Sequence, residues 1–204
     1  YMKYIIMCDG KATRWNNYKG LPKHFVTING EPLIKRTVRQ LNEELDKPDV
    51  IITSHDKRYD IDGSTRYEPK NNVLEIDRFT EELIEDNICF LYGDTYYPEE
   101  SINVILNAEP DDILFFGNKK SIVAIKIKDG KLFKKHVDRV RKLYLEGKIK
   151  NCKGWQVYQS FMNLEFDVKK ITDKYIIVDK DTIDFNTPKE YENSKLQKDG
   201  VNND

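Results

Sequence analysis

Short apolar runs alternate along the chain with segments in which apolar residues recur every three or four positions. The apolar runs are four to six residues long, a length typical of buried strands rather than helices. They predict strands over residues 3–8, 50–53, 88–92, 113–116, 122–127 and 175–178, with a shorter extended piece in 65–69. Asn29-Gly30 and Asp129-Gly130 are turn pairs, and the second of these predicts a hairpin after the strand that ends at Ile127.

Helical periodicity fills the intervals between these strands. The first helical face is marked by four residues after Pro32, namely Leu33, Thr37, Leu41 and Leu45. Further helices are predicted over residues 74–84, 98–107, 155–164 and 188–195, and another through Val137, Val140 and Tyr144. Strands separated by crossover helices predict an α/β sheet. In such sheets ligands bind at the carboxyl ends of the strands, so functional residues are expected in the loops that follow them.

Composition restricts the classes of partner. The 204 residues carry 34 Lys and Arg against 35 Asp and Glu, a net charge of −1, so we expect no nucleic-acid partner. No apolar run approaches the roughly 20 residues of a membrane span, and we expect a cytoplasmic protein without a membrane partner. The three cysteines suit neither a disulfide framework nor a zinc site. We expect one domain over residues 2–197 with a frayed tail at 198–204, and a homodimer stays open.

The stretch "CDGKATRW" leaves the first predicted strand through polar and charged residues. Cations and exposed loop amides can together hold a phosphate, and Lys23 follows shortly after in the chain. A solvated turn is the alternative interpretation. The candidate phosphate-binding residues are those of the loop and the nearby lysine, namely Cys8, Asp9, Gly10, Lys11, Ala12, Thr13, Arg14 and Lys23.

Five segments, in the family's order, resemble the nucleotidyltransferases with a GT-A-like fold, the family that makes nucleotide-activated sugars and alcohols. Residues 7–15 are similar to the family's Gly-rich run, and the Pro22-Lys23 pair and "INGEPLIKRTVRQL" follow as in the family. "FLYGDTYY" is similar to a metal-binding strand end, and "DFNTPKEYE" to the family's closing segment. The resemblance implies a three-layer α/β/α, Rossmann-like, mostly parallel mixed sheet of the nucleotide-diphospho-sugar transferase type.

The resemblance also implies that the loop residues 8–14 and Lys23 bind the nucleotide, and it gives roles to individual residues. Asp94 would bind a catalytic Mg²⁺ together with Asn186 or Asp184, whereas Lys23 would contact the α-phosphate and Arg14 the leaving pyrophosphate. Lys11 would assist Arg14. Asp94 could instead be a turn residue or a helix cap, and Asn186 could belong to the N-terminal cap of the last helix.

Three positions depart from the family's pattern. The family has small residues or glycines where Asp9 and Ala12 stand, and many members have a second metal-binding Asp where Asn186 stands, although an amide oxygen can also bind Mg²⁺. A carboxylate at Asp9 would repel a triphosphate unless it points away or helps to hold a metal. His24 follows the catalytic lysine candidate, but a phosphate nucleophile needs no general base at neutral pH, so we expect a structural role for this histidine. Residues 118–164 are expected on the acceptor side, and Tyr67, Asn71 and Asn72 near the nucleobase.

The function that the resemblance implies is transfer of a nucleoside monophosphate from a nucleoside triphosphate to a small phosphorylated acceptor, with release of pyrophosphate. CTP is favoured and UTP stays open. The acceptor would be a sugar phosphate, an alditol phosphate or phosphocholine. The alternatives are a nucleotide-binding protein of the same fold that has lost turnover, and a GT-A glycosyltransferase. The second alternative is disfavoured because "YGDTYY" lacks the usual Asp-x-Asp pair.

Overall fold

The structure is a computed structural model that describes residues 1–12 and 14–194. Thr13, one of the predicted nucleotide-binding residues, lies outside the described residues. The predicted tail at 198–204 and the last residue of the predicted final helix, Lys195, also lie outside them.

Eleven strands and five α-helices make up the regular structure of the described chain. The strands are β1 (Lys3–Met7), β2 (Thr27–Ile28), β3 (Glu31–Pro32), β4 (Asp49–Thr53), β5 (Thr65–Tyr67), β6 (Ile88–Tyr92), β7 (Thr95–Tyr96), β8 (Ile113–Gly117), β9 (Ile122–Ile127), β10 (Tyr175–Ile177) and β11 (Ile183–Asp184). The helices are α1 (Leu33–Glu44), α2 (Glu99–Asn107), α3 (Gly130–Leu145), α4 (Gly154–Phe161) and α5 (Pro188–Asn193).

Seven of these strands form one sheet in the order β10-β8-β9-β6-β1-β4-β5. Strand β9 runs antiparallel to both of its neighbours, and the other pairs are parallel. β2 and β3 form a hairpin whose turn residues, Asn29 and Gly30, both have positive φ, as the turn pair predicts. β7 and β11 form a separate antiparallel pair.

Alternation along the central strands gives the sheet two apolar faces. Tyr4 and Ile6 belong to a core that includes α1 and α2, whereas Ile5 and Met7 belong to a second core that includes α3 and α4. One layer of helices therefore packs on each face of a mostly parallel mixed sheet. The predicted three-layer α/β/α fold is confirmed.

Two local predictions are wrong. Residues 74–84 form two short 3₁₀ turns, Glu75–Arg78 and Glu81–Leu83, instead of one helix. The buried Asp77 carboxylate accepts hydrogen bonds from the backbone N–H groups of Val73 and Leu74, which fixes a tight turn at this point. The Asp129-Gly130 pair starts α3, because the Asp129 side chain accepts from Leu132 N and caps the helix.

The strand register determines which loops meet. Met7 at the end of β1 is opposite Thr53 of β4 and also opposite Tyr92 of β6. The three carboxyl ends therefore lie side by side, and the segments that follow them start from the same edge of the sheet. No helix of the described chain is long and apolar enough to cross a membrane.

Candidate nucleotide-binding site

A glycine brings the ends of β1 and β6 into direct contact. Gly93 N donates to Met7 O at 3.1 Å. A Cβ atom added to Gly93 would lie 2.4 Å from Cys8 Sγ and 2.6 Å from Met7 O, distances too short for any side chain. Asp94 therefore follows Gly93 directly beside the loop that begins at Cys8, and these two segments share one side of the sheet.

Lys23 and Asp94 form a largely buried ion pair at this junction. Lys23 Nζ donates to Asp94 Oδ2 at 3.0 Å, and the two side chains are only 12% and 15% exposed. Burial alone would raise the pKa of Asp94, but the Lys23 ammonium outweighs it and holds that pKa below its usual value. The carboxylate is therefore ionised at neutral pH.

The β7–β11 pair brings a second carboxylate to the same place. Asp184 is opposite Thr95 in this pair, and Phe185 N donates to Asp94 O at 2.8 Å. Asp184 accepts from Asn186 Nδ2 at 2.9 Å and from Ser121 Oγ at 3.3 Å. Burial, and secondly the charge of Asp94, raise the pKa of Asp184 above its usual value.

The cap of the last helix leaves Asn186 to the site. The Thr187 side chain accepts from Glu190 N and caps α5, with Pro188 as its first residue. Asn186 thus precedes the cap, and it lines a cavity at the strand ends. The sequence alternative, in which Asn186 itself takes part in the cap, does not apply.

The cavity at the strand ends that is lined by the most Lys and Arg side chains is termed the main cavity, and it has a volume of about 320 Å³. Predicted residues form one part of its wall, namely Gly10, Lys11, Ala12, Arg14, Lys23 and Asn186. Asn72, which is expected near the nucleobase, also lines the cavity. The rest of the wall is formed by residues that the sequence analysis did not single out, namely Val73, Leu74, Glu75, Arg78 and Lys153. Five cations and one carboxylate therefore line a single space, which suits a polyanionic ligand.

Two further cavities adjoin the loop that follows β1. One, of about 40 Å³, is lined by Gly10, Lys23, Arg78, Tyr92 and Asp94 among others, so it joins the cation cluster to the buried carboxylate. The other, of about 580 Å³, lies where the loop meets the end of β4. Within residues 1–12 and 14–194, neither Lys11 nor Arg14 has an ion-pair partner, in contrast to Lys23.

The Asp9 side chain points away from the main cavity. Its carboxylate accepts from His55 N at 3.0 Å and from His55 Nδ1 at 2.9 Å, and it is absent from the lining of the 320 Å³ cavity. The hydrogen bond that the His55 ring makes to the Asp9 carboxylate raises the pKa of His55. Asp9 therefore lines the adjoining cavity of about 580 Å³ and not the cavity that is lined by the five cations. Ala12 is in the left-handed region with φ 47°, where a glycine would be unstrained.

His24 contributes to packing instead of proton transfer. The ring is buried, and its Nδ1 is 2.6 Å from Tyr59 Oη. Burial lowers the pKa of His24 to about 3, so the imidazole is neutral at physiological pH. This arrangement agrees with the structural role expected for His24.

The aromatic rings beside the site already carry cations of the protein. The Arg78 guanidinium lies over the ring of Tyr92 at 5.6 Å from its centroid. Trp155 stacks on Tyr175 with ring centroids 5.7 Å apart, and Lys169 Nζ lies 5.1 Å from the centroid of the same indole. Each of these two rings therefore already makes a cation–π contact with a side chain of the protein.

The donor set at the carboxylates fits a hard divalent cation. Asp94, Asp184 and Asn186 supply oxygen atoms only, the type of ligand that Mg²⁺ prefers. In the part of the chain that the structure describes, no three His, Cys, Asp or Glu side chains are grouped as a metal site. Mg²⁺ commonly takes one or two carboxylates and completes its shell with water and substrate phosphates, so the residues present fit the ion.

Comparisons with known proteins give a consistent picture of the fold. No protein-family model matches the chain, and no curated protein matches its sequence. Among solved structures, the CTP:phosphocholine cytidylyltransferase LicC from Streptococcus pneumoniae is similar, with 14% identity, a TM-score of 0.56, and coverage of 94% of this chain and 96% of that one. The inositol-1-phosphate CTP transferase from T. maritima gives 11% identity, a TM-score of 0.53, and coverage of 97% and 96%. The UDP-glucose pyrophosphorylase from Acinetobacter baumanii gives 11% identity, a TM-score of 0.60, and coverage of 97% and 93%.

These similarities extend over nearly the whole length of both chains. The chain therefore has the fold of the nucleotidyltransferases, as the sequence motifs predict. Because fold does not determine function, the activity must be argued from the residues of the site.

Proposed function

We propose that the protein is a Mg²⁺-dependent nucleotidyltransferase, which transfers a nucleoside monophosphate from a nucleoside triphosphate to a small phosphorylated acceptor. The observation that carries the proposal is the main cavity, where the cations of the phosphate loop adjoin the Lys23–Asp94 pair. CTP is the favoured donor, with UTP second. A sugar phosphate, an alditol phosphate or phosphocholine would be the acceptor.

In the proposed reaction an oxygen of the acceptor phosphate attacks the α-phosphorus in line. A new P–O bond forms as the bond between the α-phosphorus and the bridging oxygen breaks, and that oxygen leaves with pyrophosphate. An acceptor phosphate is already ionised at neutral pH, so no general base is needed. The neutral state of His24 is consistent with such a mechanism.

The residues would act by positioning and by electrostatic stabilisation. Lys23 would contact the α-phosphate, where negative charge builds up during transfer. Arg14 and Lys11, which have no ion-pair partners among the described residues, would bind the departing pyrophosphate together with the loop amides. Asp94, with Asn186 or Asp184, would hold Mg²⁺, which when bound neutralises phosphate charge and orients the triphosphate.

The test is a matrix of four nucleoside triphosphates against a panel of phosphorylated acceptors, read by pyrophosphate release with and without Mg²⁺. We expect release with at least one pair and its loss on chelation. Asp94→Ala should abolish turnover and Lys23→Ala should reduce it severely, whereas the exposed control Lys131→Gln should match wild type. A fully active Asp94→Ala enzyme would contradict the proposed metal site.

Two other results would identify the alternatives. Triphosphate binding in calorimetry without pyrophosphate release for any acceptor would indicate a nucleotide-binding protein without turnover. Transfer of a sugar from a sugar nucleotide, followed with a labelled donor, would indicate a glycosyltransferase.

A further inference from the structure

Three charged side chains of the main cavity form a cluster that the proposed triphosphate contacts do not use. Glu75 Oε2 lies 3.9 Å from Arg78 Nη2 and 3.6 Å from Lys153 Nζ. The two cations come from different elements, the 3₁₀ turn Glu75–Arg78 and the residue before α4. We propose that Arg78 and Lys153 are the subsite for the acceptor's phosphate group, and that Glu75 occupies this subsite when no acceptor is bound; the inference rests on the proposed function.

Stability does not explain why these cations gather here. Glu75 is 52% exposed, and at 3.6 and 3.9 Å its contacts are ion pairs of the surface kind. Such pairs contribute little to folding. Two cations lining a cavity repel each other unless an anion lies between them, and Glu75 supplies that anion from inside the chain. Because the Glu75 side chain is half exposed, it can rotate outward when a phosphate takes its place.

The positions of the two cations are set by packing. Arg78 lies on the ring of Tyr92, which keeps its guanidinium at the edge of the small cavity that also contains Lys23 and Asp94. Lys153 N donates to Gln156 Oε1 at 2.8 Å, which fixes the start of α4. Gly154 follows, and a Cβ atom there would lie 2.4 Å from Tyr92 Oη, so a glycine lets α4 begin against this tyrosine.

The segment that carries Glu75 and Arg78 is anchored from behind. Asp77 accepts from Val73 N and Leu74 N at 3.0 and 2.8 Å, and from Arg141 Nη2 of α3 at 3.1 Å. The turn is therefore held to α3 by a buried carboxylate. An anion bound by Arg78 next to Lys23 and Asp94 would be close to where the α-phosphate is expected, as a nucleophile must be.

Neutralising either cation and neutralising Glu75 are expected to have opposite effects on the affinity for a phosphate monoester. Arg78→Gln and Lys153→Gln should each weaken the binding of a phosphate monoester about tenfold, since each removes a charge-assisted hydrogen bond. Glu75→Gln should strengthen the same binding about twofold to fivefold, because it removes the internal competitor. A purely structural cluster would not gain affinity when one of its members is neutralised.

The experiment titrates glycerol phosphate and, separately, pyrophosphate into the wild-type chain and its variants by calorimetry. Lys11→Gln is the crossed control and should weaken pyrophosphate binding but not glycerol phosphate binding. Arg78→Gln and Lys153→Gln should weaken glycerol phosphate binding but not pyrophosphate binding, and Glu75→Gln should strengthen glycerol phosphate binding. Lys131→Gln should change neither. The inference is overturned if Lys11→Gln weakens glycerol phosphate binding as much as Arg78→Gln does, if Glu75→Gln lowers affinity, or if wild type does not bind glycerol phosphate at millimolar concentration.

This design separates the subsite from the proposed function, because it needs no turnover. Binding with the expected signs, but no pyrophosphate release in the acceptor matrix, would retain the phosphate subsite and reject the enzyme. Release of pyrophosphate with an acceptor KM that is unchanged in Arg78→Gln and Lys153→Gln would retain the enzyme and reject the subsite.

Discussion

Asp94 and Asp184 are expected to change stability in opposite directions when each is replaced by asparagine. Asp94→Asn removes the carboxylate that pairs with Lys23 and leaves that largely buried ammonium without a counter-ion. The loss of a charge-assisted hydrogen bond at a mostly buried site costs about 2 kcal/mol of unfolding free energy. Asp184→Asn removes a charge that burial and the neighbouring Asp94 disfavour. Removal of such an unfavourable charge typically raises the free energy of unfolding by about 1 kcal/mol.

Urea unfolding at pH 7 without divalent ions measures both effects. With a slope of roughly 2 kcal/mol per molar urea, the midpoint should fall by about 1 M in Asp94→Asn and rise by about 0.5 M in Asp184→Asn. The exposed control Asp62→Asn should leave it unchanged. Mg²⁺ should raise the midpoint of wild type by mass action and raise it less in either site variant. A midpoint for Asp184→Asn below that of Asp94→Asn would refute the electrostatic reasoning.

The stability effects of Asp94→Asn and Asp184→Asn are expected to disappear in a definite order as the pH falls. The folded pKa of Asp94 is lowered, so its contribution to stability is complete above the usual aspartate pKa and is lost as pH falls through the lower, folded value. The folded pKa of Asp184 is raised, so its penalty is complete above that folded value and disappears as pH falls below the usual aspartate pKa. On acidification, the advantage of Asp184→Asn should therefore vanish at a higher pH than the deficit of Asp94→Asn.

Three further predictions concern the loop, the strand junction and the acceptor. Gly93→Ala should destabilise the chain by about 1 to 3 kcal/mol and reduce turnover, because the new Cβ atom would overlap Cys8 Sγ and Met7 O; chemical unfolding and pyrophosphate release measure the two effects. Ala12→Gly should stabilise by about 0.5 to 1 kcal/mol in urea unfolding, since a left-handed alanine costs about 1 to 2 kcal/mol and the added chain entropy of glycine offsets part of the gain. In the acceptor matrix, phosphocholine should show a higher KM than an alditol phosphate, because the aromatic rings near the site already carry cations; the reverse order would contradict this reasoning.

The sequence predicts those parts of the site that follow directly from strand order. β1 and β6 are parallel neighbours, with Met7 opposite Tyr92 at their carboxyl ends. The loops that follow these two strands must therefore lie side by side. Asp94 could be singled out because it follows a recognisable strand end, and Lys23 because the Pro22-Lys23 pair resembles the family's motif. Their direct contact was not predicted, since it depends on the path of the residues between 14 and 23.

The other half of the cavity wall could not be predicted in the same way. Glu75 and Arg78 lie in a segment whose apolar spacing indicates a helix, whereas the Asp77 carboxylate holds a 3₁₀ turn there. Lys153 lies at the site because α4 begins against Tyr92. The contact there is between Gly154 and Tyr92, which are 62 positions apart in the sequence (154 against 92). Neither fact has a local signal in the sequence, because both arise from packing between distant elements.

Asp9 shows how a residue that contradicts a motif can be compatible with its chemistry. At the end of β1, alternate side chains point to opposite faces of the sheet, and the parallel neighbour β4 ends beside it at Thr53. The residues just after β4 therefore supply His55, whose backbone and ring nitrogens both bind the Asp9 carboxylate. Because the charge is directed to the β4 side, Gly10, Lys11 and Ala12 of the loop after β1 still line the main cavity. The requirement at this position is therefore a side chain that turns toward β4, and a partner just after β4 satisfies it as well as the absence of a side chain would.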